Sequence, residues 1–369
     1  MRGLAALSIA IFHLPVFFST DNTAFFSWAW INVDLFFLLS GIVMTHVYEA
    51  RVKRGTISFT HFLSHRIARL WPLHLFAMLT MLLVDLAYTW LDHHHIMDWS
   101  GLFYTMLLNV FLLQHIGLHG TFSWDENAWS LTPEIVANIV WFYLLATGRL
   151  SSKLLALVVL GFAVIQYNHG ETLTETILGS YLVRCIISYA MGCLLYRHFI
   201  QNAALGRPSR KWSNLAGVGL TCFLGLIIYD VGHKQSPVFN HWEWILVLFV
   251  FPALTYFILQ PDTYLNRFMS SRFLVFLGTI SYSVYLLHIQ IGRALPLAIT
   301  RFSESMPPAP VLGFVYLAAT IGIATLSYKF IEEPSRRFLR NRLEPFLKKI
   351  FFEPSQALQN SPQSPHPLP

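Results

Sequence analysis

His13, Asp34 and Glu134 are ionisable side chains set inside long apolar stretches, and that placement is the first sign of chemistry. Insertion scales put the cost of such a group in lipid at about 2.5–3.5 kcal/mol, so intramembrane charges mark functional sites by default. In the opening RGLAALSIAIFHLPVFF, His13 follows Arg2 by eleven residues. On a helix that is roughly 16 Å, from one membrane boundary to near the bilayer midplane. WAWINVDLFFLLSGIVMTHVY places Asp34 in the outer half of the second stretch. WSLTPEIVANIVWFYLL carries Glu134 just inside a later one, with Pro133 suited to a first helical turn. A lone histidine at such a depth is as readily a hydrogen-bonded helix contact. Three ionisable groups within the first four spans favour proton chemistry.

Further residues could bind a substrate. Arg66 and Arg69 in FLSHRIARLWPLHLF lie three apart on one helical face. Guanidinium forks grip phosphates in a bidentate way, although any membrane protein carries such charges as topological anchors. FLVFLGTISYSVYLLHIQIG sets Tyr282, Tyr285 and His288 at intervals of three, fit to line a cavity or to join helices. SYKFIEEPSRRFLR ends the last apolar stretch with Glu332, where a structural terminus is the plainer reading. Asp92-His93-His94-His95 resembles a metal-ligand cluster but is read as a hydrated outer loop, and no metal is expected. Cys185, Cys193 and Cys222 all fall in apolar segments and are read as small buried residues.

The elements that must position these groups are membrane helices. Of 369 residues, 55% are hydrophobic and 12% charged, about half the charge of a soluble domain. Apolar blocks near spanning length run at about 3–18, 27–48, 70–91, 129–147, 153–167, 181–200, 213–230, 242–260, 273–295 and 310–331. No Lys or Arg occurs between Arg69 and Arg149, so that region is expected outside, and 101–118 is read as a re-entrant or interfacial helix. The fold class is therefore all-α, a polytopic transmembrane bundle of about ten spans with both termini cytoplasmic. This topology puts 21 of the 25 basic residues inside, leaving Arg184, Lys234, Arg293 and Arg301 at or beyond the outer boundary. The net charge of +6 thus reports topology, and no nucleic-acid partner is expected. The first stretch lacks a cleavage site and is expected to stay as a span. Residues 1–340 read as the membrane domain and 341–369 as a basic, then Pro/Ser/Gln-rich cytoplasmic tail, disordered from about Phe352.

The order of motifs resembles the acyltransferase-3 family of integral membrane acyltransferases. Arg2 and His13 reproduce its arginine, ten residues, histidine spacing, and Val33 to Gly41 read VDLFFLLSG. Arg66 and Arg69 form its R-x-x-R pair, followed by Trp71-Pro72. Trp129, Ser130, Leu131 and Glu134 give WSLxxE; Leu277 to His288 give LGxISYSxYLLH; Phe330 to Pro334 give FIExP. The similarity covers residues 1 to about 340. Met1 directly precedes the arginine, where the family usually has further residues, and WSLTPE carries a proline where valine is common.

The resemblance implies transfer of an acyl group, most often acetyl, from a cytoplasmic coenzyme A thioester to a hydroxyl of a cell-surface or lipid-linked carbohydrate, in the cytoplasmic membrane of a bacterium. Acyl-CoA is then a donor substrate, and no permanently bound cofactor is expected. His13 is general base or transient acyl carrier, and Asp34 or Glu134 orients it. Arg66 and Arg69, with Arg2, face the donor; Trp129, Ser130 and Tyr285 are candidate oxyanion donors; Tyr282, His288 and Glu332 complete the substrate-binding set. Transfer is expected to finish within the bundle or to pass to a separate extracytoplasmic partner enzyme. The rival reading is a transporter using buried His, Asp and Glu as a proton relay, against which no inverted repeat is found. A scaffold without chemistry would tolerate loss of His13.

Overall fold

The computed structural model describes residues 1–18, 28–92, 95–97, 99, 101–114, 124–169, 180–201, 208–233, 245–302 and 306–359, and no strand occurs among them. In lipid every backbone polar group must be paired internally, so long apolar runs resolve into helices. In order these are α1 (Arg2–Phe12), α2 (Leu14–Phe18), α3 (Asn32–Lys53), α4 (Phe59–Asp92), α5 (Leu102–Val110), α6 (Leu131–Ala146), α7 (Ser152–His169) and α8 (Ser180–Leu195). There follow α9 (Arg210–His233), α10 (Phe251–Ile258), α11 (Tyr264–Met269), α12 (Arg272–Thr279), α13 (Ser281–Phe302), α14 (Ala309–Ser327) and α15 (Glu333–Gln359).

Short α1 occupies the middle of the bundle, and its small residues allow this. Ala6 and Ala10 are fully enclosed, and Gly3 lies so close to Leu277 that a Cβ would approach it to 2.5 Å. The helix breaks at His13, two residues before Pro15, which has no N–H to offer the Ile11 carbonyl. The His13 amide then bonds Ala10 O at 3.3 Å, leaving the Ile9 carbonyl for another donor. Beside α1, α3 and α8 meet backbone to backbone. A Cβ on Gly41 would sit 2.1 Å from Tyr189 O, and one on Gly192 2.1 Å from Leu38 O, so both positions require glycine. Helices α12 and α13 form a pair bent by 65°.

Among the described residues each apolar block of the sequence corresponds to helix, but not each to an unbroken span. Four helical stretches, Ala29–Lys53, Phe59–Leu91, Glu126–Ala146 and Ala309–Ile350, are long and apolar enough to cross a membrane, with the α12–α13 pair a fifth if it counts as one span. Arg2–Phe18, Ser152–Val164 and Leu246–Ile258 are apolar but shorter. Composition registers apolarity and does not register the break at His13 or the π-helical turn at Leu246–Val250. Helix α5 has nine residues, too few to traverse roughly 30 Å of hydrocarbon; 115–118 of that expected segment lie outside the described residues.

Helix α15 runs to Gln359, and 360–369 lie outside the described residues. The start of α15 is held on α4: His61 Nδ1 is 2.7 Å from Glu344, and Arg340 Nε donates to His65 Nε2 at 2.9 Å. Cys185 and Cys193 are buried as expected, but Cys222 is exposed on the bundle surface.

Candidate functional site

The flagged residues gather around two neighbouring cavities, one near each end of α1. The first is lined by Arg2, Arg69, Ser130, Glu134, Tyr282 and Tyr285 with apolar walls from Val33, Phe36 and Phe37, and has a volume of about 30 Å³. The second, about 220 Å³, is lined by His13, Trp30, Glu126, Asn127, Trp129 and Tyr285. Tyr285 lines both. Its hydroxyl donates to Asn127 O at 2.9 Å and lies 3.0 Å from Ser130 Oγ, which is 3.3 Å from the same carbonyl. These hydroxyls are engaged with each other and with the backbone, so in this conformation they form a partition and not a pair of free oxyanion donors.

The first cavity is rich in positive charge. Arg66, on the buried face of α4, donates to Glu134 Oε1 at 2.7 Å, and Ser40 donates to the same oxygen at 2.7 Å. The carboxylate of Glu332 accepts from Ser283 at 2.8 Å, and the Tyr282 hydroxyl donates to Leu70 O at 2.7 Å. Arg2 sits 5.8 Å from the Phe36 ring centre, and its Nε has no hydrogen-bond partner. Arg69 makes no side-chain hydrogen bond among the described residues. Of the three guanidiniums only Arg66 is bonded to a carboxylate, which leaves Arg2 and Arg69 to meet an anion.

Neither proposed carboxylate orients His13. Glu134 is held by Arg66 and Ser40. Asp34, fully enclosed, accepts from Arg184 at 2.5 Å and from Ser188 at 3.2 Å. A buried carboxylate takes the strongest donor in reach, and for Asp34 that is the guanidinium from α8. The neighbour of His13 is His288: Nδ1 of His13 lies 3.2 Å from Nε2 of His288 and 2.9 Å from the unclaimed Ile9 O. Nδ1 of His288 is 2.9 Å from Tyr285 O and 3.2 Å from Val284 O. The Asn127 amide donates to Tyr285 O at 3.1 Å and reaches the His288 ring nitrogens at 3.3 Å. Tyr316 ties the backbones together, its hydroxyl 3.3 Å from both Ala10 O and His288 O.

The sequence gives no site role to Arg184, Arg293, Glu126 or Asn127, all of which the structure brings here. Arg184, expected at or beyond the outer boundary, is 2% exposed within the protein, paired to Asp34 and set over Trp30 and Trp129 at 4.6 and 5.5 Å. Arg293 forms an ion pair with Glu126 beside the second cavity. Asn127, uncharged and ahead of its helix, gave no signal beyond adjoining the WSLxxE run. The Trp129 and Tyr181 ring centres lie 4.4 Å apart, with the planes tilted by 41°. Of the metal-like cluster, His93, His94 and the Asp92 side chain lie outside the described residues; His95 lies 3.1 Å from Asp85. No group able to hold a metal ion occurs among the described residues.

A helical membrane bundle with a basic cavity and a histidine cavity on one axis places the chain in a class, and comparison with known proteins fixes which. Residues 1–329 match the Acyltransferase domain family, and the chain belongs to that family. It is 26% identical over 380 residues to the peptidoglycan O-acetyltransferase OatA of Listeria monocytogenes, covering 95% of this chain and 57% of that protein. It is 22% identical over 363 residues to the O-acetyltransferase OatA of Staphylococcus aureus, covering 91% and 56%. Protein 2 in the picA locus of Rhizobium radiobacter is 32% identical over 169 residues, 43% of this chain and 86% of that one. The chain thus spans little more than half the length of the OatA relatives. No solved structure matches it.

Proposed function

We propose that this protein is a membrane O-acyltransferase that takes an acetyl group from cytoplasmic acyl-CoA and delivers it to a hydroxyl of a cell-surface or lipid-linked carbohydrate. The observation that carries this reading is the pair of cavities sharing Tyr285, with free guanidiniums at one and His13 at the other. In this reading Arg2 and Arg69 meet the phosphates of coenzyme A, and the thioester enters beside Tyr282. On the other side His13 takes the proton of the acceptor hydroxyl as its oxygen attacks the thioester carbonyl. Trp30 and Trp129 offer the aromatic lining that sugar rings favour, in about 220 Å³.

The same reading has about ten crossings in the bacterial cytoplasmic membrane, both termini cytoplasmic, with α5 lying on the outer side without crossing. Peptidoglycan, named for the Listeria relative, heads the candidate acceptors, with a separate extracytoplasmic enzyme as a possible final carrier.

The test supplies radiolabelled acetyl-CoA to the cytoplasmic face of membrane vesicles and follows label into glycan and lipid fractions for wild type and His13→Ala. Label entering one fraction only with wild type supports the proposal and identifies the acceptor class. Equal label with both proteins, or none with either, overturns it; uptake of a polar solute without coenzyme A would point to a transporter.

A further inference from the structure

We infer that His288 is a positioning residue that holds His13 in its Nδ1–H tautomer and so keeps Nε2 of His13 unprotonated towards the second cavity. The inference rests on the acyl-transfer reading above and concerns how the base is prepared.

The argument is one of donors and acceptors. Carbonyl oxygens only accept. Nδ1 of His288 faces two of them, Tyr285 O at 2.9 Å and Val284 O at 3.2 Å, so it carries the proton. Its Nε2 is then an acceptor, with the Asn127 amide as one donor at 3.3 Å. Nδ1 of His13 therefore faces acceptors alone, Ile9 O at 2.9 Å and His288 Nε2 at 3.2 Å, and must be the protonated nitrogen. Nε2 of His13 is left with its lone pair. No hydrogen bond reaches it from the described residues, and the ring lines the second cavity. The turn at His13 contributes as well: its amide bonds Ala10 O, so the Ile9 carbonyl has only the imidazole as a donor.

The arrangement does the work of a catalytic triad's third member without a charge. In a serine hydrolase a carboxylate fixes the tautomer and stabilises the imidazolium. Within a membrane an additional anion is costly, and here the carboxylates nearest in sequence logic, Asp34 and Glu134, are each neutralised by an arginine. A neutral imidazole and a backbone carbonyl accept the Nδ1–H instead. During transfer the acceptor O–H breaks as its proton passes to His13 Nε2. The acceptor oxygen bonds the acyl carbon, the C–S bond breaks, and the proton leaves Nε2 to yield free thiol. Nδ1–H stays on His13 throughout, so the ring emerges ready for another cycle.

The test compares His288→Leu with His288→Gln in the vesicle assay, measuring maximal rate and the KM for acetyl-CoA. Gln offers an acceptor oxygen where Nε2 stood; Leu does not. His288→Leu is expected to lower the maximal rate about 100-fold with donor KM changed less than about threefold, and His288→Gln to stay within about tenfold of wild type. His288→Met, of similar bulk and lacking a strong acceptor, replaces Leu if that variant fails to fold. Equal loss in the Gln and apolar variants at wild-type melting temperature, or full activity in the apolar variant, overturns the inference while leaving the acyltransferase reading intact. No transfer by wild type overturns that reading and this inference with it.

Discussion

Asp34 and Arg184 meet between α3 and α8, 2.5 Å from Oδ2 to Nη2, and neither side chain reaches the surface. The guanidinium also lies over Trp30 and Trp129, both of which line the histidine cavity. The pair therefore couples the seam of two helices to one wall of the candidate site. Removing one partner of a buried pair leaves an uncompensated charge and costs about 3–5 kcal/mol, whereas replacing both by apolar residues is often neutral. Asp34→Ala and Arg184→Ala should each lower the melting temperature in detergent markedly, and Asp34→Leu with Arg184→Met should recover most of the loss. A double variant as unstable as the singles would show that the pair contributes more than charge balance.

His13→Ala should reduce acetyl transfer by about 10²–10⁴, the range for a removed general base, while the protein inserts and melts as wild type. Transfer rates in vesicles, normalised to inserted protein, decide this; a well-inserted variant with wild-type rate would remove His13 from the chemistry.

Arg66 and Arg69, one motif in sequence, should behave differently. Arg66 is committed to Glu134, and Arg69 faces the first cavity without a hydrogen bond among the described residues. Arg69→Ala should raise the KM for acetyl-CoA about tenfold or more, as expected on losing a charge-assisted phosphate contact of about 1.5–3 kcal/mol. Arg66→Ala should cost stability as well, since it strands Glu134. Donor titrations and thermal melts separate the two, and identical behaviour would count against the division.

Gly41→Ala or Gly192→Ala should destabilise the bundle without touching any candidate site residue. Each new Cβ would fall 2.1 Å from a carbonyl oxygen of the facing helix, so the two backbones must move apart. Overpacking of this kind costs about 1–3 kcal/mol. A melt unchanged in either variant would mean that the seam opens freely.

Much of the site was legible because charge in an apolar stretch is conspicuous. Arg2, Arg69, Glu134, Tyr282 and Tyr285 do line one cavity, and His13, Trp129 and Tyr285 the other. Pairing was not legible. Asp34 finds its partner 150 positions away on α8, and a count of basic residues by loop cannot distinguish a boundary arginine from one buried in an ion pair. Asn127 carries no charge, so nothing distinguished it before its amide was seen at His288. The break at His13 has a sequence signal in Pro15 two residues on, but the bond between the histidine ring and Ile9 O belongs to geometry. For the fold, apolar runs located helices well, while their continuity depended on turns that composition does not reveal.

The backbone-on-backbone seam of α3 and α8 also bears on motion. Helices separated by interdigitating side chains can slide as rotamers change; two helices touching through Gly41 and Gly192 have no such lubricant. They are expected to move as one unit, carrying Asp34, Arg184 and the Trp129 ring that the guanidinium overlies. Tyr285 belongs to the other side, on α13, five residues beyond Ile280 where the chain bends by 65° after α12, so a displacement that draws it from between the two cavities is expected to leave the glycine seam in place.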